Sequence, residues 1–455
     1  MIDQGGACDP EAGHAATPPT HRWRQTVDLV RDVGIVAAVV GAVVAVSVVA
    51  QPQIAVNGGH GWDGDTYYSM AEKISDGGVL TEDAPFVYRV LIPLGAALLF
   101  PDDLMLGFRV VNAVAVLVTI ILMTVWLRRH VGPWPLRATL MGLFLFHWAQ
   151  PLRNFFWYPV LVDYWLYPAI LAGLLVVEHL RSGGSRRIWL PILCLVSIFA
   201  VAVREVGLLI PVAAMFTYNP MSGRLREVRT RIGELRGLQR SLLLPLLLAV
   251  LTLVAARVLV DATGSYESLR SAAYWLVNKW PTTFVLGWFL AYGPMLVLAM
   301  FYWRACLRYM RDHQAIGAFL VGLLGISWIG GGDTERFLTW GAPVIYVLLG
   351  IGIAEAVRDR VPVLVLAVLA VTQAVSARLI WILPAVAVKP GAISEIVFLT
   401  PIGNDISVYD VTSWDAAPGV RLTMQLEYAA VALLVLGMIA LLRDRGGHSA
   451  GREWE

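Results

Sequence analysis

Lysine is almost missing from this chain. Of its 35 basic residues only Lys73, Lys279 and Lys389 are lysine, so the other 32 are arginine. That bias hints at a GC-rich bacterial genome and carries no mechanism. Charge of either sign is scarce too: 15% of the 455 residues, against about 25% in soluble domains. With 58% hydrophobic residues and a mean hydropathy of +0.67, the chain is too apolar for a water-soluble core. This excludes a secreted enzyme, a cytosolic enzyme and a disordered protein, and leaves a chain that uses the bilayer as its solvent. Cysteine is rare, and Cys8, Cys194 and Cys306 have no spacing that suggests a disulfide framework or a metal knuckle. No Walker A sequence, no GxGxxG after a strand, no HExxH and no GxSxG occurs. These absences argue against an ATP-driven pump, a nicotinamide enzyme, a zincin and an α/β-hydrolase. No repeat of fixed period is present, which excludes solenoids, and no inverted repeat of the transporter kind is visible.

What is present is a series of apolar runs. A helix needs about 20 apolar residues to cross a bilayer. Clear candidates are 33–51, 104–127, 133–150, 163–181, 241–260, 281–303, 337–356, 361–384 and 426–442; shorter or charge-interrupted ones are 188–203, 206–218 and 315–330. The expected fold is therefore all-α: a polytopic membrane protein of about 12 transmembrane helices. Residues 87–100, too short to span and containing Pro93, are read as a re-entrant or interfacial segment. Residues 1–32 read as a disordered cytoplasmic tail and juxtamembrane segment and not as a signal peptide. Residues 33–442 form the membrane domain, with a first outer loop at 52–86, and 443–455 form a second cytoplasmic tail.

Arginine sets the orientation. With the N-terminus inside, the inner segments hold 23 Arg against 14 acidic residues, and the rest of the chain holds 12 basic against 19 acidic residues. This is the positive-inside pattern. It predicts a multi-pass protein of the bacterial cytoplasmic membrane with both termini in the cytoplasm. The basic segment Arg224–Arg240 then faces the inner leaflet, where topology and anionic lipid account for it, and no nucleic-acid partner is expected.

Charges within or beside spans are costly and tend to be functional. In this topology they collect on the outer side: Asp63 and Asp65, Tyr88 and Arg89, Arg153, Asn154 and Asp163, Arg204 and Glu205, and Asp333, Glu335 and Arg336. The pattern predicts one outward-facing polar site built from several loops. Residues 65–74 have helical spacing and read as an amphipathic helix on the membrane surface. The pair Asp63-Gly64-Asp65 precedes it. Converging in a loop, two carboxylates could deprotonate a hydroxyl or hold a divalent cation; alternatively Asp65 caps the helix. Arg89 could hold a phosphate or snorkel to head groups. Arg204 and Glu205 could pair with other helices or contact a ligand, and Asp333 and Arg336, three apart, could form a cap and an internal salt bridge. Most of the 17 Trp and 15 Tyr, including Phe155 to Tyr158 and Tyr274-Trp275, read as interfacial belts.

A first span, an outer loop with an acidic pair, an interfacial helix and many further spans resemble the GT-C superfamily of membrane glycosyltransferases. Trp62-Asp63-Gly64-Asp65-Thr66-Tyr67 is similar to the WDGxWY pattern of its GPI-mannosyltransferase branch, with Thr66 where that pattern has an aromatic. No large soluble C-terminal domain of the kind usual in the family is expected within residues 1–455, as in some of its branches. Only about 30 residues carry motif-level similarity. The resemblance implies a sugar donor on a polyprenyl phosphate at the outer leaflet and an envelope glycan, lipid or protein as acceptor. It implies Asp63 as the general base of an inverting transfer, and Arg89, Arg204 or Arg336 as the cation steadying the leaving phosphate. Asp65 would be a second carboxylate or, with Asp63, a ligand for a divalent cation such as Mg or Mn. Two other readings stand beside it. A transporter or flippase for a lipid-linked glycan would show charges at mid-membrane and access from both sides; a scaffold for envelope assembly would tolerate loss of the acidic pair.

Overall fold

The computed structural model describes residues 19–217, 225–260, 262–263, 268–331, 334–376, 422, 425–426 and 428–440. Among these residues it is helical, with no β-strand and one isolated bridge between Asp83 and Thr263. Four helices among the described residues are long and apolar enough to cross a membrane. They are α1 (Pro19–Ala50), apolar over Val30–Ala50, α4 (Leu104–His130), α8 (Arg186–Val203) and α10 (Leu225–Leu259), apolar over Arg240–Leu259. On α4, Val110, Val114, Leu117, Ile121 and Val125 are exposed, while Val111, Ala115, Met123 and Trp126 on the opposite face are buried. An outward apolar stripe backed by a packed one is what a lipid-facing helix requires.

The other expected spans are interrupted. Residues 133–150 form α5 (Trp134–Phe146), and the chain breaks before α6 (Pro151–Trp157). Residues 163–181 open as a 3-10 turn, Val162–Trp165, and continue as α7 (Leu166–Arg181). The expected span 206–218 is a 3-10 turn, Glu205–Leu208, followed by α9 (Leu209–Met215). After α11 (Ser268–Asn278), residues 281–303 divide into α12 (Pro281–Tyr292) and α13 (Leu296–Phe301). Next, α14 (Trp303–Asp312) meets α15 (Gln314–Ile329) at a 116° bend. The run 337–356 becomes α16 (Thr334–Thr339) and α17 (Ala342–Arg358), followed by α18 (Val363–Ser376). Residues 377–384 lie outside the described residues, and 428–440 form a short apolar helix. At 1.5 Å per residue, a segment such as α7 falls short of the roughly 30 Å hydrocarbon core. Among the described residues, four helices, or five with the bent pair, are long and apolar enough to cross without a break.

At the break between α12 and α13, glycine and proline account for the turn. Gly293 ends α12 with φ of +75°, a conformation that costs glycine little, and Pro294 cannot donate the next helical hydrogen bond. The broken ends are buried, so their polar groups need partners. Gln373 on α18 provides two: its Nε2 donates to the Tyr292 carbonyl at 2.9 Å, and its Oε1 accepts from the Met295 amide at 2.9 Å.

Residues 87–100 form a 3-10 turn, Phe86–Tyr88, and α3 (Leu91–Leu99), too short to span. It packs against α2 (Asp63–Ser75) and α4, with Leu98 and Leu99 exposed. Most of α7 and α17 is enclosed, with Ile170, Leu171, Leu174, Val344, Val347 and Leu349 buried.

Candidate functional site

At one end of the bundle the helix breaks bring charges together. Asp63 is the first residue of α2. The helix thus starts two residues earlier than its spacing suggests, and both Asp63 and Asp65 lie in its first turn, where a helix dipole favours negative charge. Asp65 does not cap it, and the N-cap residue Trp62 makes no side-chain capping bond. Instead the Gly64 amide donates to the Tyr158 hydroxyl at 2.8 Å. A Cβ on Gly64 would stand 2.8 Å from the Tyr158 ring, so glycine is what lets the start of α2 approach Tyr158.

Asp163 lies in the 3-10 turn before α7 and is buried. Buried Asn112 on α4 holds the segment leading to it, its Nδ2 donating to the Pro159 and Leu161 carbonyls at 2.7 and 2.9 Å. Asp163 Oδ2 accepts from Arg336 Nε and Nη2 at 2.9 and 2.7 Å, and Oδ1 accepts from Arg204 Nη1. Arg204, in extended backbone between α8 and the following turn, lies over the Trp340 ring at 4.6 Å. Arg336, on α16, also donates through Nη1 to Asp63 Oδ2 at 2.5 Å. Beside this set, Arg89 donates to Glu205 Oε2 through Nε and Nη2 at 3.3 and 3.1 Å and to the Tyr67 hydroxyl at 2.8 Å. Neighbours in sequence thus bind different partners, Arg204 to Asp163 and Glu205 to Arg89. Three carboxylates face three arginines, so these six groups balance in charge.

The carboxylates are not equivalent. Both oxygens of Asp163 are saturated. Glu205 Oε1 is buried and has no hydrogen-bond partner among the described residues. Asp63 uses only Oδ2; its Oδ1 bonds to no described residue, and the side chain keeps 24% of its surface exposed. Burial alone would push the Asp63 carboxyl up. Arg336, with Arg204 and Arg89 behind it, outweighs burial and holds it below the ordinary carboxylate range.

The remaining expected residues lie around this network. Asp65 points elsewhere: its side chain is 56% exposed and meets His60 Nδ1 at 3.2 Å. The acidic pair therefore does not converge on one point. This donor set does not fit a divalent cation: Asp63 faces Arg336, Asp65 faces His60, and Asp163 and Glu205 face arginines. Among the described residues no group of three His, Cys, Asp or Glu side chains could hold a metal ion. Arg153 donates to the Phe146 carbonyl at 3.1 Å and ties α6 back to α5. Asn154 Oδ1 accepts from the Tyr164 hydroxyl at 2.7 Å. Both are structural neighbours of the turn carrying Asp163. Asp333 lies outside the described residues.

Tyr88 borders a groove of about 390 Å³ between α3, α8 and α10. Leu91, Leu94, Val201 and Leu253 contribute apolar walls, and Arg89 and Glu205 line it from the network side. Arg257 lies 5.9 Å from the Tyr88 ring.

Sequence reasoning missed Tyr67, Asn112, Tyr158 and Trp340. Trp157 and Tyr158, read as belt residues, are each only 2% exposed and belong to the packed support of Asp63. A polar handle on a buried aromatic was the available signal, but it is hidden in a chain this rich in aromatics.

Fold and site together define a helical, membrane-embedded protein with a buried ionic cluster gathered at helix breaks. No family model, curated protein or solved structure matches the chain.

Proposed function

We propose that the protein is a membrane glycosyltransferase that moves a sugar from a polyprenyl-phosphate donor to an envelope glycan, lipid or protein acceptor. Asp63 carries this reading. It opens a helix lying between the first two long apolar helices, it has an oxygen free to take a proton, and it stands within an arginine cluster beside an apolar groove. In this reading the broken helices complete about twelve passes, both termini are cytoplasmic, and the network faces the outer side of the bacterial cytoplasmic membrane.

The resemblance to membrane glycosyltransferases supplies the chemistry of this reading. The acceptor hydroxyl gives its proton to Asp63 Oδ1 as its oxygen bonds to the anomeric carbon. The bond from that carbon to the phosphate oxygen breaks, and its electron pair leaves on the phosphate, with inversion at carbon. The lipid chain lies in the groove with its phosphate near Arg89, and the free Glu205 Oε1 accepts a sugar hydroxyl. A carboxylate held by Arg336 is a weak base in the resting protein. A donor phosphate at Arg89 offsets part of the positive field on Asp63 and so raises its basicity when substrate is present.

A panel of radiolabelled polyprenyl-phosphate sugars, offered to purified protein in nanodiscs with membrane-extracted acceptors, tests the proposal. Consumption of one donor supports it. Binding without consumption, together with transbilayer movement of the lipid-linked sugar, moves the flippase reading to the front.

A further inference from the structure

A second charged pocket lies at the opposite end of the bundle. α17 starts two residues after Trp340, whose ring covers Arg204, and ends at Arg358, about 25 Å away along a helix of 1.5 Å rise per residue. There Arg358, Glu355 and Asp359 join Trp303, Arg304 and Arg308 around a cavity of about 460 Å³. Arg358 pairs with Glu355 within the helix. Arg304 and Arg308 form no ion pair with any carboxylate among the described residues; Arg304 instead lies over the Trp303 ring at 5.6 Å.

The helix bearing these arginines is built for an interface. α14 turns 116° away from α15. Cys306 is its buried anchor, held near the Leu348 carbonyl on α17 at 3.7 Å. At 100° per residue the exposed arc begins with Trp303 and Leu307, 52% and 48% exposed, and continues through Arg311, Arg304 and Arg308, also exposed. An apolar stripe beside a cationic one on a surface helix suits the boundary between acyl chains and head groups. Guanidinium forks match phosphate oxygens, which they bind in bidentate fashion.

We propose that this pocket binds the phosphate of an anionic phospholipid, with Arg304 and Arg308 on the phosphate and the acyl chains against Trp303 and Leu307. The proposal does not depend on the reaction at Asp63.

Native mass spectrometry of the delipidated full-length protein tests it, with phosphatidylglycerol and phosphatidylcholine as probes. The expected result is one tightly held phosphatidylglycerol with at least tenfold preference over phosphatidylcholine. In Arg304→Gln/Arg308→Gln the preference falls at least fivefold. It is unchanged in Arg186→Gln/Arg187→Gln, which removes two exposed arginines from the start of α8, outside the pocket. Size-exclusion and melting profiles check that both variants fold. Equal retention in the two double variants, or no headgroup preference in the wild type, overturns the proposal. Displacement of the lipid by millimolar inorganic phosphate would assign the pocket to a soluble phosphate and overturn the lipid assignment.

Discussion

At Asp63 three local facts meet: a helix start, an arginine on one oxygen, and an unbonded second oxygen. Because Arg336 and its neighbours depress the carboxyl, the group is fully ionised at neutral pH and protonates only as pH falls below the usual carboxylate range. Transfer at low donor concentration, which reports the free protein, is therefore expected to hold steady down to mildly acidic pH and to fail only at lower pH. Arg336→Gln removes the largest lowering influence, so the acid limb of the pH–rate profile should move upward. A limb that stays put in that variant would show that another group sets it. Asp163 differs, since it anchors two arginines. Asp163→Asn leaves Arg204 and Arg336 short of a counter-charge, and breaking a buried pair from one side typically costs about 3–5 kcal/mol. The expected outcome is a markedly lower melting temperature in nanodiscs; an unchanged one would mean that the two arginines find other partners. The site residues were legible because charge is rare in this chain and costly in lipid. Their pairing was not: adjacent Arg204 and Glu205 bind partners on different segments, Asp163 and Arg89, and the supporting tyrosines look like ordinary belt residues.

Among the elements, the decisive feature is the broken helix. Hydropathy located the apolar segments, because an uninterrupted run such as that of α4 has no other comfortable solvent. It did not locate the breaks, because Gly293-Pro294 sits inside an apolar run and the patch on that break comes from Gln373, 80 residues away from Gly293 in sequence. Gln373→Leu should leave the Tyr292 carbonyl and the Met295 amide unsatisfied. At about 1–3 kcal/mol for each orphaned group, the loss is about 2–6 kcal/mol, measurable by thermal or denaturant unfolding in detergent. A variant as stable as the wild type would mean that other groups satisfy the break. Gly64→Ala tests a different joint. Its methyl would meet Tyr158, so turnover should fall while melting changes little, as the start of α2 is displaced.

For the molecule as a whole, charge is sorted by end. The Asp63–Arg336 network occupies one end. The other holds Arg128 and Arg137 on Asp32, Arg181 and His313 on Glu178, and the Arg304–Arg358 pocket. The arginine count already implied such an axis, and the ion pairs add which helices each end ties together. The proposed orientation predicts that a cysteine at exposed Asp76, just after α2, reacts with an impermeant maleimide on intact cells in a Cys8→Ser background. One at exposed Ser185, before α8, should react only after permeabilisation. The reverse pattern would invert the topology.

Whether Asp63 is the proton acceptor of a sugar transfer is decided by measuring transfer by Asp63→Asn and Asp65→Asn side by side. Positioned bases contribute about 10²–10⁴-fold, so a folded Asp63→Asn protein should lose at least a hundredfold in turnover, while Asp65→Asn, which faces solvent and His60, should stay within about threefold, as is usual for surface changes. Equal activity of Asp63→Asn and wild type on a donor that the wild type consumes would contradict the account.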